Sequence, residues 1–446
     1  MNPLNNCMTR REALKQSACG FGSLALAGLC ADSAPAANPL AAKVPHLRPR
    51  AKRIIFLFMQ GGPSHVDTYD YKPALYKNDG KKMAFDDART IANTGKRGTS
   101  ERVMKPRWKY KQYGDSGRQT SDLFRETAKH SDDLTFIHSM HTEGVAHGPA
   151  TLFLHCGSTS FIRPSLGSWV TYGLGTENEN LPAFISLAPL SSSGGARNYG
   201  SAFLPAANQG IAIGKDGKFD ANATIRNLGN TDLSKKEQLR QLQFLQRLNA
   251  EQLKGANQDS ELEALISSYE LAWRMQNNAP GVLDLSQETP GTRAMYGIGE
   301  KETDNFGRQC LMARRLCEKG VRFVQVTSGS AGGANNWDQH GKMSLHEPQA
   351  KAVDKPIAGL LQDLKQRGLL EDTIVWFSGE FGRAPYAQNN GNGRDHNAGG
   401  FTTWLAGNCL KSGFAYGATD EFGHKAVEDK VHMHDLHATL LYLLGL

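Results

Sequence analysis

Acidic and imidazole side chains recur in this sequence directly after short apolar runs. They lie in residues 61–70, 336–340, 379–383, 393–397 and 432–437. Carboxylate and imidazole groups are the ligands that zinc, manganese and similar ions accept. We therefore expect several of these groups to hold one or two divalent metal ions. The residue types alone do not distinguish zinc, calcium and manganese.

The candidate metal ligands all come from these polar segments. They are Asp67, Asp338, His340, Glu380, Asp395, His396 and His437. Other roles stay open for some of them. Asp67 and Glu380 can instead scaffold a loop, and His437 can pack inside the fold. The acidic ligand of one half-site can be Glu380 or Asp395.

Three further side chains are candidates for the reacting centre: His147, Arg383 and Arg394. His147 is suited to act as a nucleophile, a metal ligand or a general acid or base. The two arginines are suited to bind an anionic group with paired N–H donors, and structural ion pairs are the alternative. Asp435 is expected to begin a helix by accepting bonds from free backbone N–H groups.

Apolar segments of strand length alternate with amphipathic helical segments. This alternation predicts an α/β fold with a mostly parallel central sheet flanked by helices. Ligand sites in such sheets form beyond the carboxyl ends of the strands, where the polar segments lie. Leucine stripes predict a helical hairpin excursion over about 233–278. The expected strands are 53–59, 134–140, 182–187, 321–327, 373–378 and 401–406, and the helices include 306–319, 350–367 and 435–444.

The amino terminus has the features of an export signal. Arg10 and Arg11 precede a weakly apolar run over 18–31 and a small-residue cleavage site at 34–36. This order predicts a twin-arginine signal peptide over 1–36, followed by a linker over 37–50 and one domain over 51–446. The run is too short for a permanent membrane span. We expect a periplasmic or extracellular protein, exported folded by the twin-arginine machinery.

Composition indicates a globular protein and narrows its partners. The chain of 446 residues is 39% hydrophobic and has a formal net charge of +7. The mild positive charge favours anionic substrates or simply maintains solubility. No phosphate-binding P-loop and no dinucleotide fingerprint is present, and the basic residues do not form a recognition helix. We expect no nucleic-acid partner.

Several motifs resemble the alkaline phosphatase/sulfatase superfamily. Residues 147–157 (HGPATLFLHCG) have the spacing of the sulfatase active-site stretch, and 373–380 (TIVWFSGE) resemble the late strand that ends in a metal-binding aspartate. Residues 435–441 (DLHATLL) resemble the closing helix. From about residue 50 onward, the chain more closely resembles a family of twin-arginine-exported, sulfatase-related bacterial proteins of unknown function. The motifs of that resemblance are 61–67 (GGPSHVD), 113–117 (YGDSG), 313–316 (ARRL), 337–340 (WDQH), 379–383 (GEFGR) and 393–396 (GRDH).

The resemblance implies metal-dependent hydrolysis of sulfate or phosphate esters. The substrate would be an anionic small molecule or a sulfated or phosphorylated polymer. Three departures stand against a working enzyme of the usual kind. First, His147 occupies the position of the nucleophile. Second, Gln60-Gly61 lies where a metal-binding aspartate is usual, so that Asp67 or Ser64 must reach back. Third, Glu380 replaces aspartate. The alternative is a non-catalytic secreted binding protein that retains the sulfatase-like fold.

Overall fold

A computed structural model describes most of the chain beyond the predicted signal peptide. The described residues are 40–85, 100–219, 233–255, 273, 281–329, 336–388 and 391–446. The predicted signal peptide and residues 37–39 of the linker lie outside them. So does most of the second helix of the predicted hairpin.

The described strands follow one another as β1 Arg53–Met59, β2 Lys82–Met83, β3 Glu101–Val103, β4 Tyr110–Tyr113, β5 Arg118–Ser121, β6 Leu134–His141, β7 Phe184–Leu187, β8 Ile211–Ile213, β9 Phe323–Ser328, β10 Thr373–Ser378, β11 Gly382–Ala387, β12 Arg394–Asn397, β13 Phe401–Ala406, β14 Phe414–Tyr416, β15 Ala418–Thr419, β16 Ala426–Glu428 and β17 Val431–His432.

The described α-helices are α1 His65–Thr68, α2 Pro73–Lys77, α3 Arg125–Ala128, α4 His147–Cys156, α5 Leu166–Leu174, α6 Lys235–Gly255, α7 Pro290–Met295, α8 Asp304–Glu318, α9 His346–Gln366 and α10 Met433–Leu443. Helix α6 is the first helix of the predicted hairpin. Within the described residues, no helix combines the length and the apolar character that crossing a membrane requires.

The central sheet confirms the predicted mostly parallel architecture. Its order is β14-β6-β13-β10-β1-β9-β7-β8, and β17 also pairs with β6. Strands β10, β1, β9, β7 and β8 are parallel, whereas β13 is antiparallel to both β10 and β6. Strand β6 therefore runs in the same direction as β10. The carboxyl ends of β1, β6, β9 and β10 consequently lie at one edge of the sheet.

Strand β1 lies in the middle of this sheet and is buried on both faces. Successive side chains of a strand point to opposite faces. Ile54 and Phe56 pack into a core with α4, α5 and α10, whereas Ile55 and Leu57 pack into a core with α8 and α9. The continuous apolar run of β1 is thus explained by helices on both faces.

Residues 76–118 contain more β-structure than their polar sequence suggests. Strands β2 and β3 join β11 and β12 in a four-stranded antiparallel sheet, and β4 pairs with β5 in a hairpin. Strands β2 to β5 are short and partly exposed, so they lack the apolar pattern of the central strands. The small sheet matters because β12 contributes one residue to the site described below.

We expect Leu57→Ala to lower the free energy of unfolding by about 2–5 kcal/mol, because Leu57 is fully buried and truncation leaves a cavity. Denaturant unfolding measures this change. Val427→Ala, at an exposed strand position, is the matched control and should change the free energy by less than about 0.5 kcal/mol. Equal effects of the two variants would contradict the assignment of β1 to the core.

Candidate metal centre

Four predicted site residues converge beyond the carboxyl edge of the central sheet. Asp338 and His340 follow β9, His147 begins α4 after β6, and His396 lies on β12. Their ligand atoms all lie within 4.8 Å of one another. We call these four residues the His₃Asp cluster.

The carboxylate of Asp338 lies at the centre of the cluster. Its Oδ2 is 3.0 Å from Nε2 of His147, and its Oδ1 is 2.8 Å from Nε2 of His340 and 3.3 Å from Nε2 of His396. The Nε2 atoms of His340 and His396 are only 2.9 Å apart. All three imidazoles therefore direct Nε2 at one small volume.

Each imidazole also makes a hydrogen bond through Nδ1, on the side of the ring that faces away from the cluster. Its Nδ1–H donates a hydrogen bond to an oxygen outside the cluster, so that Nε2 is the nitrogen that faces inward. The Nε2 atoms of His340 and His396, 2.9 Å apart, are close enough to share a proton or to contact one cation. The three outer acceptors are Glu380 Oε1 for His147 (2.7 Å), the Val145 carbonyl for His396 (2.8 Å) and Gln388 Oε1 for His340.

The electrostatics of the cluster also favour a cation. Burial lowers the pKa of His147, but contacts with the Asp338 and Glu380 carboxylates outweigh burial and raise it to about 9. Burial raises the pKa of Asp338, but the three imidazoles and Arg383 hold it well below its ordinary value. The environment that stabilises a proton on His147 stabilises a metal ion in the same way.

The pKa of His396 shifts in the opposite direction. Burial lowers it to about 4, and the charges of Arg383, His147 and His340 add to that effect. Three imidazole nitrogens and one carboxylate form a donor set that fits a divalent ion, with His147, Asp338, His340 and His396 as the residues that would hold it.

Access from solvent is retained on one side of the cluster. The side chains of His147, Asp338 and His340 are 24%, 29% and 33% exposed, whereas that of His396 is 14% exposed. A ligand from solution can therefore reach the side chains of His147, Asp338 and His340.

Arg383 contacts the cluster but is not available to a substrate. Its guanidinium is fully buried and donates to Asp338 Oδ1 at 2.8 Å and to the carbonyls of Gly61 and Gly62. A third donor reaches the Arg394 carbonyl at 3.3 Å. The expected role in gripping an anionic group is therefore corrected: Arg383 orients Asp338 and fixes the loop after β1.

Glu380 and Asp395 lie next to the cluster and outside its ligand group. Glu380 is fully buried and accepts hydrogen bonds from His147 Nδ1 and from the Gly61 amide at 2.9 and 3.0 Å. Asp395 is buried, accepts from the His396 amide at 2.8 Å and lies 3.6 Å from Nδ1 of His340. Both carboxylates thus face the outer side of an imidazole, and the expectation that they bind the ion directly is corrected.

Asp67 and Arg394 form a buried ion pair away from the cluster. Arg394 Nε donates to Asp67 Oδ2 at 2.6 Å, and both side chains are fully buried. Ser64 also donates to Asp67, and Arg394 completes its bonds with the carbonyls of Ala384 and Met104. The metal-ligand prediction for Asp67 and the reacting-centre prediction for Arg394 are corrected, because each satisfies the other's charge.

His437 also lies apart from the cluster. Its Nε2 bonds to the Leu154 carbonyl at 2.9 Å, and burial lowers its pKa to about 4. His437 therefore packs between α10 and α4 and does not reach the cluster, so the prediction that it is a metal ligand is corrected. At the start of α10, Asp435 accepts a bond from the His432 amide at 2.9 Å, as expected of a helix-start residue.

Glycines after β1 allow the loops of the site to approach one another. Gly61 has φ +106°, and a Cβ there would lie 2.6 Å from the Asp338 amide nitrogen. Gly62 has φ +75°, and its Cβ would lie 2.7 Å from the Phe381 carbonyl oxygen. The end of β1 thus contributes backbone to the site where an aspartate ligand was considered.

Sequence reasoning missed two groups that orient the imidazoles. Gln388 lies outside every motif, and Val145 contributes only its carbonyl oxygen. A backbone carbonyl has no signature in residue types. For Gln388, the only available signal was its position between two polar segments.

The family follows from comparison with known proteins. A family model described as "Protein of unknown function (DUF1501)" matches residues 51–446. The chain belongs to this family. The motif-based prediction of a family of unknown function is confirmed. A comparison with curated proteins found no match.

Solved structures with a similar fold include a sulfatase, a lipoteichoic acid synthase and an alkaline phosphatase. The PsFucS1 sulfatase from Pseudoalteromonas sp. is 11% identical with a TM-score of 0.38, and the match covers 89% of this chain and 68% of that one. The synthase LtaP from Listeria monocytogenes is 8% identical with a TM-score of 0.39, covering 92% and 76%. The alkaline phosphatase from the Antarctic bacterium TAB5 is 10% identical with a TM-score of 0.29, covering 84% and 96%. Similarities of this size carry no argument about activity, substrate or metal.

We expect Asp67→Asn to destabilise the protein by about 3–5 kcal/mol, because Arg394 would keep its charge in a buried site without a carboxylate. Its metal content should equal that of the wild type. Denaturant unfolding and elemental analysis measure the two quantities. Loss of the metal in a folded Asp67→Asn protein would show that Asp67 belongs to the centre.

The same pair predicts a pH dependence. Burial raises the pKa of Asp67, but Arg394 and Ser64 outweigh burial and hold it below its ordinary value of 3.8. The stabilising contribution is therefore complete above pH 3.8 and is lost as the pH falls through the lower folded pKa. The difference in unfolding free energy between the wild type and Asp67→Asn should narrow below pH 3.8. A difference that stays constant down to acid pH would contradict the ion pair.

Proposed function

We propose that this protein is an exported, metal-dependent hydrolase of sulfate or phosphate esters. The observation that carries the proposal is the convergence of three imidazole Nε2 atoms and the Asp338 carboxylate within 4.8 Å. Each imidazole has an oxygen on its Nδ1 side, as metal-binding histidines usually do. The protein would bind one or two divalent ions, and the His₃Asp cluster supplies the ligands for one of them.

The ion would act as a Lewis acid on the ester, whose phosphorus or sulfur atom is the electrophile. A bound divalent ion polarises an ester oxygen and lowers the pKa of water. His147, Asp338, His340 and His396 would hold it, and Arg383 would keep Asp338 in place. The exposed side of the cluster would admit the anionic ester.

His147 acts as a ligand in this proposal, and not as a nucleophile. Its Nδ1 is bonded to Glu380, and its Nε2 faces Asp338 at 3.0 Å, so neither nitrogen is directed at a substrate. None of the four cluster residues carries a hydroxyl or a thiol. Hydrolysis would therefore proceed by attack of water on the ester without a covalent intermediate on these residues.

Export would place this activity outside the cytoplasm. The twin-arginine motif at Arg10–Arg11 supports transport of a folded protein that already carries its ion. The expected substrates are anionic small molecules or sulfated or phosphorylated polymers in the periplasm or outside the cell.

A non-catalytic binding protein is the second candidate. The lack of a hydroxyl or thiol in the cluster favours it, because related hydrolases attack with such a group. This candidate keeps the ion and binds the anionic polymer without cleaving it.

We expect His147→Ala to lose bound metal and to reduce ester hydrolysis by at least about 100-fold, because the variant removes one of four ligands and opens the cluster. Elemental analysis and a panel of sulfate and phosphate esters measure the two effects. His46→Ala, at an exposed histidine of the amino-terminal segment, is the matched control and should retain both properties.

The outcomes separate the two candidates. A metal-loaded wild type that hydrolyses no ester but binds an anionic polymer would favour the binding protein. Hydrolysis that persists in His147→Ala without bound metal would exclude the metal-dependent mechanism.

A further inference from the structure

The donor set of the His₃Asp cluster consists mainly of nitrogen. Calcium takes six to eight oxygen ligands, and magnesium keeps an octahedral shell of oxygens that includes several waters. Zinc accepts imidazole and carboxylate ligands in a four-coordinate arrangement. Three imidazoles and one carboxylate match the last pattern.

A second ion would need further ligands at the same edge, and the described residues do not supply them. The His₃Asp cluster is the one group of three or more suitable side chains found in that part of the chain. At the end of β1, the Gly61 amide is occupied by Glu380, and Asp67 is paired with Arg394. The polar groups near the end of β1 are thus already bonded to other groups of the same chain, and they are not free to bind a second ion.

We propose that the cluster selects a single borderline first-row transition ion of the Zn²⁺ type over Ca²⁺ and Mg²⁺, and that Glu380 and Gln388 are positioning residues that set its affinity. This inference rests on the proposed metal centre and goes beyond it by choosing among the ions. Glu380 acts through His147, and Gln388 acts through His340. Each offers an oxygen to the Nδ1 side of its imidazole, which leaves Nε2 as the nitrogen that faces the ion.

Substitutions of the two positioning residues differ in how many other contacts they disturb. Glu380 is fully buried and also holds the Gly61 amide, so Glu380→Gln affects the loop after β1 as well as His147. Gln388 is partly exposed, and its side-chain oxygen is bonded to His340. Gln388→Ala removes that acceptor, whereas Gln388→Glu retains an oxygen that can accept from Nδ1. Gln349→Ala, at a partly exposed glutamine on α9, is the matched control.

The experiment measures ion binding by the chelator-treated full chain with Zn²⁺, Mn²⁺, Ca²⁺ and Mg²⁺. We expect one Zn²⁺ per chain, bound at least about 100-fold more tightly than Ca²⁺ or Mg²⁺. Isothermal titration gives the dissociation constants, and elemental analysis gives the stoichiometry. Tighter binding of Ca²⁺ or Mg²⁺, or two tightly bound Zn²⁺ ions per chain, would overturn the inference.

For the positioning residues, we expect Glu380→Gln and Gln388→Ala each to raise the dissociation constant for Zn²⁺ by about 10–100-fold. Gln388→Glu should restore the affinity, and Gln349→Ala should leave it unchanged. The unfolding temperature of ion-free Gln388→Ala should match that of the ion-free wild type, which a purely structural role would not produce. Unchanged Zn²⁺ affinity in Gln388→Ala, or a failure of Gln388→Glu to restore it, would overturn the positioning role.

These measurements do not depend on turnover. Tight Zn²⁺ binding by a protein that hydrolyses no ester would reject the proposed hydrolase and retain this inference. A preference for Ca²⁺ would reject the inference whether or not esters are hydrolysed.

Discussion

The Nε2 atoms of His340 and His396, only 2.9 Å apart, constrain the whole centre. A proton or a metal ion between these two nitrogens is needed to offset the repulsion of their lone pairs. Asp338 lies between them and His147 and adds negative charge to the same volume. The arrangement therefore suits a bound cation.

The rest of the fold serves to maintain this geometry. Parallel strands bring three of the polar loops to one edge, and the small antiparallel sheet adds His396 from β12. Arg383 links the Asp338 carboxylate to the glycine loop after β1, and Glu380 links the same loop to His147. A glycine at position 61 is required because a side chain there would collide with the Asp338 backbone.

The sequence predicted the central sheet well because its strands are buried on both faces. The bounds of β1 and β10 agree with those expected, since continuous apolar runs such as 53–59 admit few other structures. The short strands at 101–103 and 110–113 were not predicted, because surface strands lack that pattern.

For the site, residue type indicated which groups are suited to bind an ion but not which partner each one meets. Asp338, His340 and His396 come together as ligand candidates, and His147 joins them from a position where three roles were open. Asp67 was misassigned because its partner Arg394 is more than 300 residues away in sequence. Glu380 was misassigned because one helix residue, His147, lies between it and the centre. Pairings of this kind depend on tertiary structure and leave no local pattern.

The most direct test of the central claim is X-ray absorption spectroscopy of the purified protein, at the absorption edge of the metal that elemental analysis identifies. The account predicts one ion with three imidazole nitrogens at about 2.0–2.1 Å and a carboxylate oxygen at about 2.0–2.2 Å. An ion surrounded only by oxygen atoms, or a folded protein that binds no metal, would contradict it.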